Sequence, residues 1–137
     1  MAFAFPAKWA PHLRSILRIV AGLMFVLHGT QKLFGFPDPG AKLGPQAPAL
    51  IKAAGIIELV GGVLIAAGLL TSIAAFIASG EMAVAYFKQH APNGFWPTLN
   101  GGELAVLYCF VFLYLAFAGP GPWSIDAILG RGRVRRV

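Results

Sequence analysis

Leu27-His28-Gly29-Thr30-Gln31-Lys32, at the end of a long apolar run, is the stretch on which the reading of this chain turns. Residues 16–27 before it carry one charge, Arg18. Then His28, Gln31 and Lys32 arrive within a few positions, and Leu33-Phe34 resume the apolar pattern. In a helix His28 and Lys32 lie one turn apart on one face, with Gln31 beside them. Polar groups of this kind are rare in a membrane-spanning segment, because taking a charge out of water is expensive.

The composition supports a membrane setting. Of 137 residues, 58% are hydrophobic and 12% charged. A soluble domain carries about 25% charged residues. The net charge of +6 could suggest nucleic acid. However, the basic residues sit at the two ends and in the first connecting segment, without interleaved aromatics, so no nucleic-acid partner is expected. A basic tail on an apolar chain fits membrane topology and anionic lipid. The single cysteine, Cys109, lies in an apolar run and has no partner for an internal disulfide. The first apolar run ends in His-Gly-Thr-Gln-Lys and not in a small-x-small cleavage site, so it reads as a span.

Working outward, the pattern predicts an all-α fold: an antiparallel bundle of four transmembrane helices at about 13–34, 50–70, 73–89 and 102–118, with a short C-terminal interfacial helix. An arm with Phe3, Phe5, Trp9 and Lys8 suits the headgroup layer. Arg14 and Arg18, in the first turns of the first span, are expected to reach back to the surface. Residues 35–49, GFPDPGAKLGPQAPA, hold four prolines and three glycines and form an extra-membrane loop. The second span has one internal charge, Glu58, with Ala54, Gly55, Gly61 and Gly62 three and four residues either side. Small residues let another helix approach, so Gly61 and Gly62 read as structural and Glu58 points into the bundle. Thr71-Ser72 is the expected turn. Glu81 shares its face of the third span with Ala74, Ala78 and Ala85. Residues 91–100, APNGFWPTLN, form a surface loop with its aromatic side towards lipid. Glu103 opens an aromatic-rich fourth span, whose Tyr108 and neighbours are expected to face lipid or pack in the core, although such rings are also what a quinone would stack on. Gly119-Pro120-Gly121-Pro122 ends it, and Ser124 is the expected N-cap of the last short helix.

Counting Lys and Arg sets the orientation. With both termini on one side, that side holds Lys8, Arg14, Arg18, Arg131, Arg133, Arg135 and Arg136 against Lys32, Lys42, Lys52 and Lys88 on the other. The positive-inside rule then puts both termini in the cytoplasm. At about 1.5 Å per residue, His28 falls roughly 9 Å below the outer end of its helix, and Glu58 and Glu81 roughly 12 Å deep. Glu103 sits at the mouth. His28, Gln31, Lys32, Glu58, Glu81 and Glu103 therefore gather in the outer half of the bilayer, as candidates for ligand binding and proton exchange. Three acids against one lysine and one histidine leave at least one carboxyl expected to hold or share a proton. His28 with Glu58 and Glu81 lacks the paired spacing of metal ligands, and no metal is expected.

The pattern Arg18…His28-Gly29-x-x-Lys32-Leu33, then Glu58-x-x-Gly61-Gly62-x-Leu64…Gly68-Leu69-x-Thr71, then Gly102-Glu103 and Gly119-x-Gly121-x-x-Ser124-Ile125-Asp126 resembles the DoxX family of small bacterial membrane proteins. The resemblance runs over about 13–129, so 1–137 reads as a single DoxX-like membrane domain. It implies a four-helix inner-membrane bundle, and it matches His28, Lys32, Glu58, Glu103, Ser124 and Asp126. The family takes its name from the small subunit of an archaeal thiosulfate:quinone oxidoreductase, and some members are membrane partners of other enzymes.

These expectations favour a redox-associated subunit, multi-pass in the bacterial inner membrane, that binds a quinone or another small lipophilic molecule. The sequence holds no haem, flavin, iron–sulfur or dithiol ligand set, so any redox activity calls for a partner protein or a bound quinone. Two alternatives stand beside it: a non-enzymatic anchor or scaffold for a partner protein, and a small proton or solute transporter. Membrane lipids are expected partners, and glycine-rich helix faces suit a homodimer.

Overall fold

The computed structural model describes residues 5–38 and 44–131. Phe3, Lys42 and the tail arginines Arg133, Arg135 and Arg136 lie outside the described residues. Among the described residues the chain is helical, without strands. Its long helices are α1 (Ala10–Phe34), α2 (Ala49–Ala67), α3 (Thr71–Ala85) and α5 (Glu103–Ala118). A π turn, Tyr86–His90, continues α3. Two short helices complete the order, α4 (Pro97–Asn100) and α6 (Ile125–Ile128). Two stretches, Ala7–Phe34 and Ala49–Ala67, are long and apolar enough to cross a membrane. With 16 residues, α5 covers roughly 24 Å.

The helices pack as two pairs, α1 on α2 and α3 on α5. The first pair is set by glycine. Gly22 lies against Gly62 and Ala66, and Gly29 against Gly55 and Leu59. Each helix thus brings two glycines seven residues apart, in antiparallel register. A methyl on Gly62 would come within 2.7 Å of the Val26 amide. Gly61 has no such role: a methyl there would meet only Phe25, at 4.0 Å. Adjacent helical positions point about 100° apart, so only one of the two can face α1. The pairs meet on Phe25, Ile65, Ala78, Tyr108, Phe112 and Leu115. The Phe25 and Phe112 rings stand edge to face, 4.7 Å between centroids. Outward, Leu23, Val60, Phe76, Leu107, Phe110 and Phe117 are exposed. So wide an apolar exterior is a surface for lipid rather than water.

The end where α1 begins and α6 lies is locked by polar groups. Arg18 does not reach back to the surface. It is 0% exposed. Its Nη1 donates to the carbonyls of Ile65 (2.6 Å) and Ala66 (2.5 Å), and its Nε to that of Pro120 (2.7 Å). Its Nη2 donates to the Trp123 carbonyl. One turn earlier, Arg14 donates to the Ala118 carbonyl at 2.6 Å. The carbonyls that end a helix have no partner within it and carry the negative end of its dipole. Two arginines on α1 therefore cap the C-termini of α2 and α5, which explains why neither needs water.

The turn between α2 and α3 is Gly68-Leu69-Leu70, not Thr71-Ser72, which belong to the first turn of α3. Leu70 is held at φ +51°, a conformation that costs a non-glycine residue about 1 kcal/mol. Asp126 holds it there, accepting from the amides of Leu70 and Thr71, both at 3.0 Å. The same residue donates its own amide to the Gly68 carbonyl at 2.8 Å. Ser124 caps α6 as expected, accepting from the Ala127 amide at 3.1 Å.

Burial pushes the Asp126 carboxyl up, but the amides of Thr71 and Leu70 and the charge of Arg131 outweigh it and hold the group below its ordinary 3.8. A folded value below the unfolded one gives stability that is complete above the ordinary value. It is lost as pH falls through the folded value. Thermal unfolding from pH 6 to pH 3 should show this loss in the wild type and a flatter profile in Asp126→Asn. Arg18→Gln should cost about 3 kcal/mol, because it strands carbonyls at the end of α2 and in the segment after α5. An unfolding midpoint unchanged in Arg18→Gln would contradict the capping role.

Candidate functional site

At the opposite end the two helix pairs enclose a cavity of about 650 Å³. This lies within the range of small-molecule sites, about 300–1,000 Å³. One wall carries His28 and Lys32 from α1, Glu58 from α2, Glu81 from α3 and Tyr108 from α5. Lys88, Gln89 and His90, on the π turn, line the mouth. Leu50, Ile57, Ile77 and Leu104 make apolar surface between them.

Each polar group is carried in by a helix face. Glu58 lies between Gly55 and Gly62, on the face that packs against α1, and is 2% exposed. Lys32 reaches it from α1, with Nζ 2.8 Å from both carboxylate oxygens. A buried carboxylate is tolerable when it is paired in this way. His28, one turn before Lys32, stands edge to face with Tyr108, 5.8 Å between ring centroids and 90° between planes. Glu81 is different. Both of its carboxyl oxygens are buried and find no hydrogen-bond partner among the described residues. The Tyr108 hydroxyl is in the same condition, on a side chain 5% exposed. Buried polar atoms are nearly always satisfied, so two orphans on one cavity wall need an explanation. Together they offer an O–H and a carboxyl, suited to meet oxygen atoms of a small molecule.

The sequence reading and the structure part at three places. Glu103 is the first residue of α5, exposed, and outside the cavity. Gln31 is half-buried and does not line it. Tyr108 belongs to the site and was not singled out. The signal was the buried face Ala105, Tyr108, Phe112, Leu115, whose spacing of three and four places Tyr108 inward. Glu103, five residues before Tyr108, falls off that face. Cys109 packs between α3 and α5, where its carbonyl accepts from Ser79 Oγ at 2.8 Å.

An all-helical chain with an apolar exterior and a polar cavity between its helices has the build of a helical membrane protein. The comparisons agree. The DoxX family model matches residues 13–91, and this chain belongs to the DoxX family of membrane proteins. An uncharacterized protein of Haemophilus influenzae is 46% identical over 123 residues, 87% of this chain and 92% of its own length. An uncharacterized membrane protein of Mycobacterium tuberculosis is 31% identical over 131 residues, 84% of this chain and 80% of its own. A Bacillus subtilis protein named "Putative oxidoreductase CatD" is 28% identical over 124 residues, 86% of this chain and 87% of its own. No solved structure matches the chain.

The Lys32–Glu58 pair makes a prediction of its own. Lys32→Met alone should lower stability by about 3 kcal/mol, since it strands a buried carboxylate. Lys32→Met/Glu58→Leu should recover most of that loss, because no uncompensated charge remains. Detergent-solubilised protein unfolded by heat, in a double-mutant cycle, reads both. Losses that simply add would mean the two side chains are not coupled.

Proposed function

We propose that this protein is a four-span subunit of the bacterial inner membrane, with both termini cytoplasmic, that holds the head of a quinone or a similar small lipophilic molecule in the cavity. The observation that carries this reading is the pair of orphaned buried groups, the Tyr108 hydroxyl and the Glu81 carboxyl, on one wall of a largely apolar cavity. A ring with carbonyl or hydroxyl oxygens fits their chemistry. Tyr108 would donate to one oxygen, and Glu81 would donate as the acid or accept as the carboxylate. His28 and Lys32 stand beside them. A quinone bound there would supply the two-electron, two-proton capacity that the chain lacks.

The residues of the chain bind, orient and handle protons. The Lys32–Glu58 pair keeps its charges balanced beside the head and fixes α1 against α2. Glu81 holds or releases a proton at its carboxyl oxygens. The mouth at Lys88, Gln89 and His90 connects that carboxyl with the outer face. Electron exchange then belongs to a partner protein in a redox complex. The oxidoreductase name of the B. subtilis relative supports this direction. A transporter would need a route past the other end, where Arg18, Asp126 and Ser124 close the bundle with buried hydrogen bonds. The cavity lining stops short of them, at Glu58, Ile77 and Tyr108.

A water-dispersible quinone analogue should raise the thermal unfolding midpoint of the wild-type protein in proportion to its concentration. Tyr108→Phe and Glu81→Gln should each weaken binding about tenfold, the size of one lost hydrogen bond to a buried group. Glu103→Gln, outside the cavity, should bind as the wild type does. Equal midpoint shifts in the wild type and the Tyr108→Phe/Glu81→Gln variant would sink the assignment.

A further inference from the structure

The cavity has a second wall of a different kind. Ala53 and Ile57 of α2, with Ile77, Gly80 and Val84 of α3, line it. Ala53, Ile77, Gly80 and Val84 line the cavity and are at the same time exposed. Lining residues that stay exposed mark where a cavity is open, and these four lie on α2 and α3. These helices are joined by the tight 68–70 turn at the far end. The gap lies beyond it, level with Glu58 and Glu81.

Gly80 sharpens the point. Glycine inside a helix costs about 1 kcal/mol relative to alanine, and is kept where backbones approach closely or φ is positive. Neither applies to Gly80. A methyl group there would meet nothing within 4 Å, and its φ is not positive. Gly22, Gly29 and Gly62 are all in close helix contact, whereas Gly80, like Gly61, is not. It leaves space at the rim of the opening, one residue from the orphaned Glu81.

We propose that the gap between α2 and α3 at Ala53 and Gly80 is a lateral portal through which a single-tailed lipid-soluble molecule enters from the bilayer. The uncharged, oxygen-bearing head reaches Tyr108 and Glu81, and the hydrocarbon tail stays between Gly80 and the lipid. An uncharged head follows from the wall it meets, where Lys32 and Glu58 already neutralise one another. The tail follows from the apolar rim. This inference rests on the proposed ligand site, and it adds the route and the shape of the ligand.

The test compares two probes that share a head: a dimethoxy-methyl-benzoquinone carrying a decyl chain, and the same ring without it. Binding is measured by thermal shift and by quenching of tryptophan fluorescence, on wild type, Gly80→Ala, Gly80→Leu and Ala53→Leu. The wild type and Gly80→Ala should bind the decyl probe more tightly than the bare ring. Gly80→Leu and Ala53→Leu should weaken the decyl probe about tenfold and leave the bare ring unchanged, since hydrocarbon contact scales with the chain buried. Decyl preference intact in Gly80→Leu, at unchanged protein stability, overturns the portal alone. A changed oligomeric state in Gly80→Leu with the preference intact assigns Gly80 to a contact between copies, and also overturns it. If the wild type binds neither probe, the site itself fails and the portal falls with it.

Discussion

Arg18 is the residue on which the arrangement depends. A guanidinium buried in this bundle would be prohibitive without partners. It is tolerated because it gathers carbonyls from the end of α2 and from the segment after α5, at positions 65, 66, 120 and 123. It stands one turn from Arg14, which does the same for the end of α5. Through these contacts α1, which packs mainly on α2, also fixes where α5 ends. Asp126 completes the junction by holding the strained Leu70 and starting α3. Three helix termini and the short α6 are thus tied in one place.

A molecule locked at one end is free to be open at the other. The two helix pairs diverge in chemistry as they leave the Arg18 junction. First comes a dry layer around Phe25 and Phe112. Then comes the cavity, where Glu58 is paired and Glu81 is not. Buried unpaired groups are destabilising, and a bundle selected for stability alone would have replaced them with leucine or alanine. The proposed function assigns the two that line the cavity, Glu81 and Tyr108, to a ligand and not to the general use of polar groups to glue helices. The π turn at Tyr86–His90 belongs to the same picture, since such turns distort a helix where it serves a cavity.

Much of this was legible in the sequence. Proline and glycine clusters marked the loops. Isolated charges in apolar runs marked Lys32, Glu58 and Glu81, because such residues do not survive in lipid without a reason. The role of Arg18 was hidden for a physical cause: its partners are backbone carbonyls in two distant segments, and carbonyls leave no trace in composition. Its place in the first turns of the span therefore read as a side chain reaching back to the surface. Glu103 was drawn into the cluster by depth and by the resemblance, although neither fixes direction. The face shared by Ala105, Tyr108 and Phe112 fixes it and leaves Glu103 outside. Gly61 and Gly62 could not be separated without the register that Gly22 and Gly29 impose from α1.

The most direct measurement is mass spectrometry of the protein released from native membranes in mild detergent, wild type beside Tyr108→Phe/Glu81→Gln. The account predicts that the wild type retains a lipid-soluble molecule with an oxygen-bearing head and a hydrocarbon tail, near one per chain, and that the double variant loses it. Wild type and variant carrying the same bulk phospholipid and nothing else would contradict the account and leave the polar wall as structural glue.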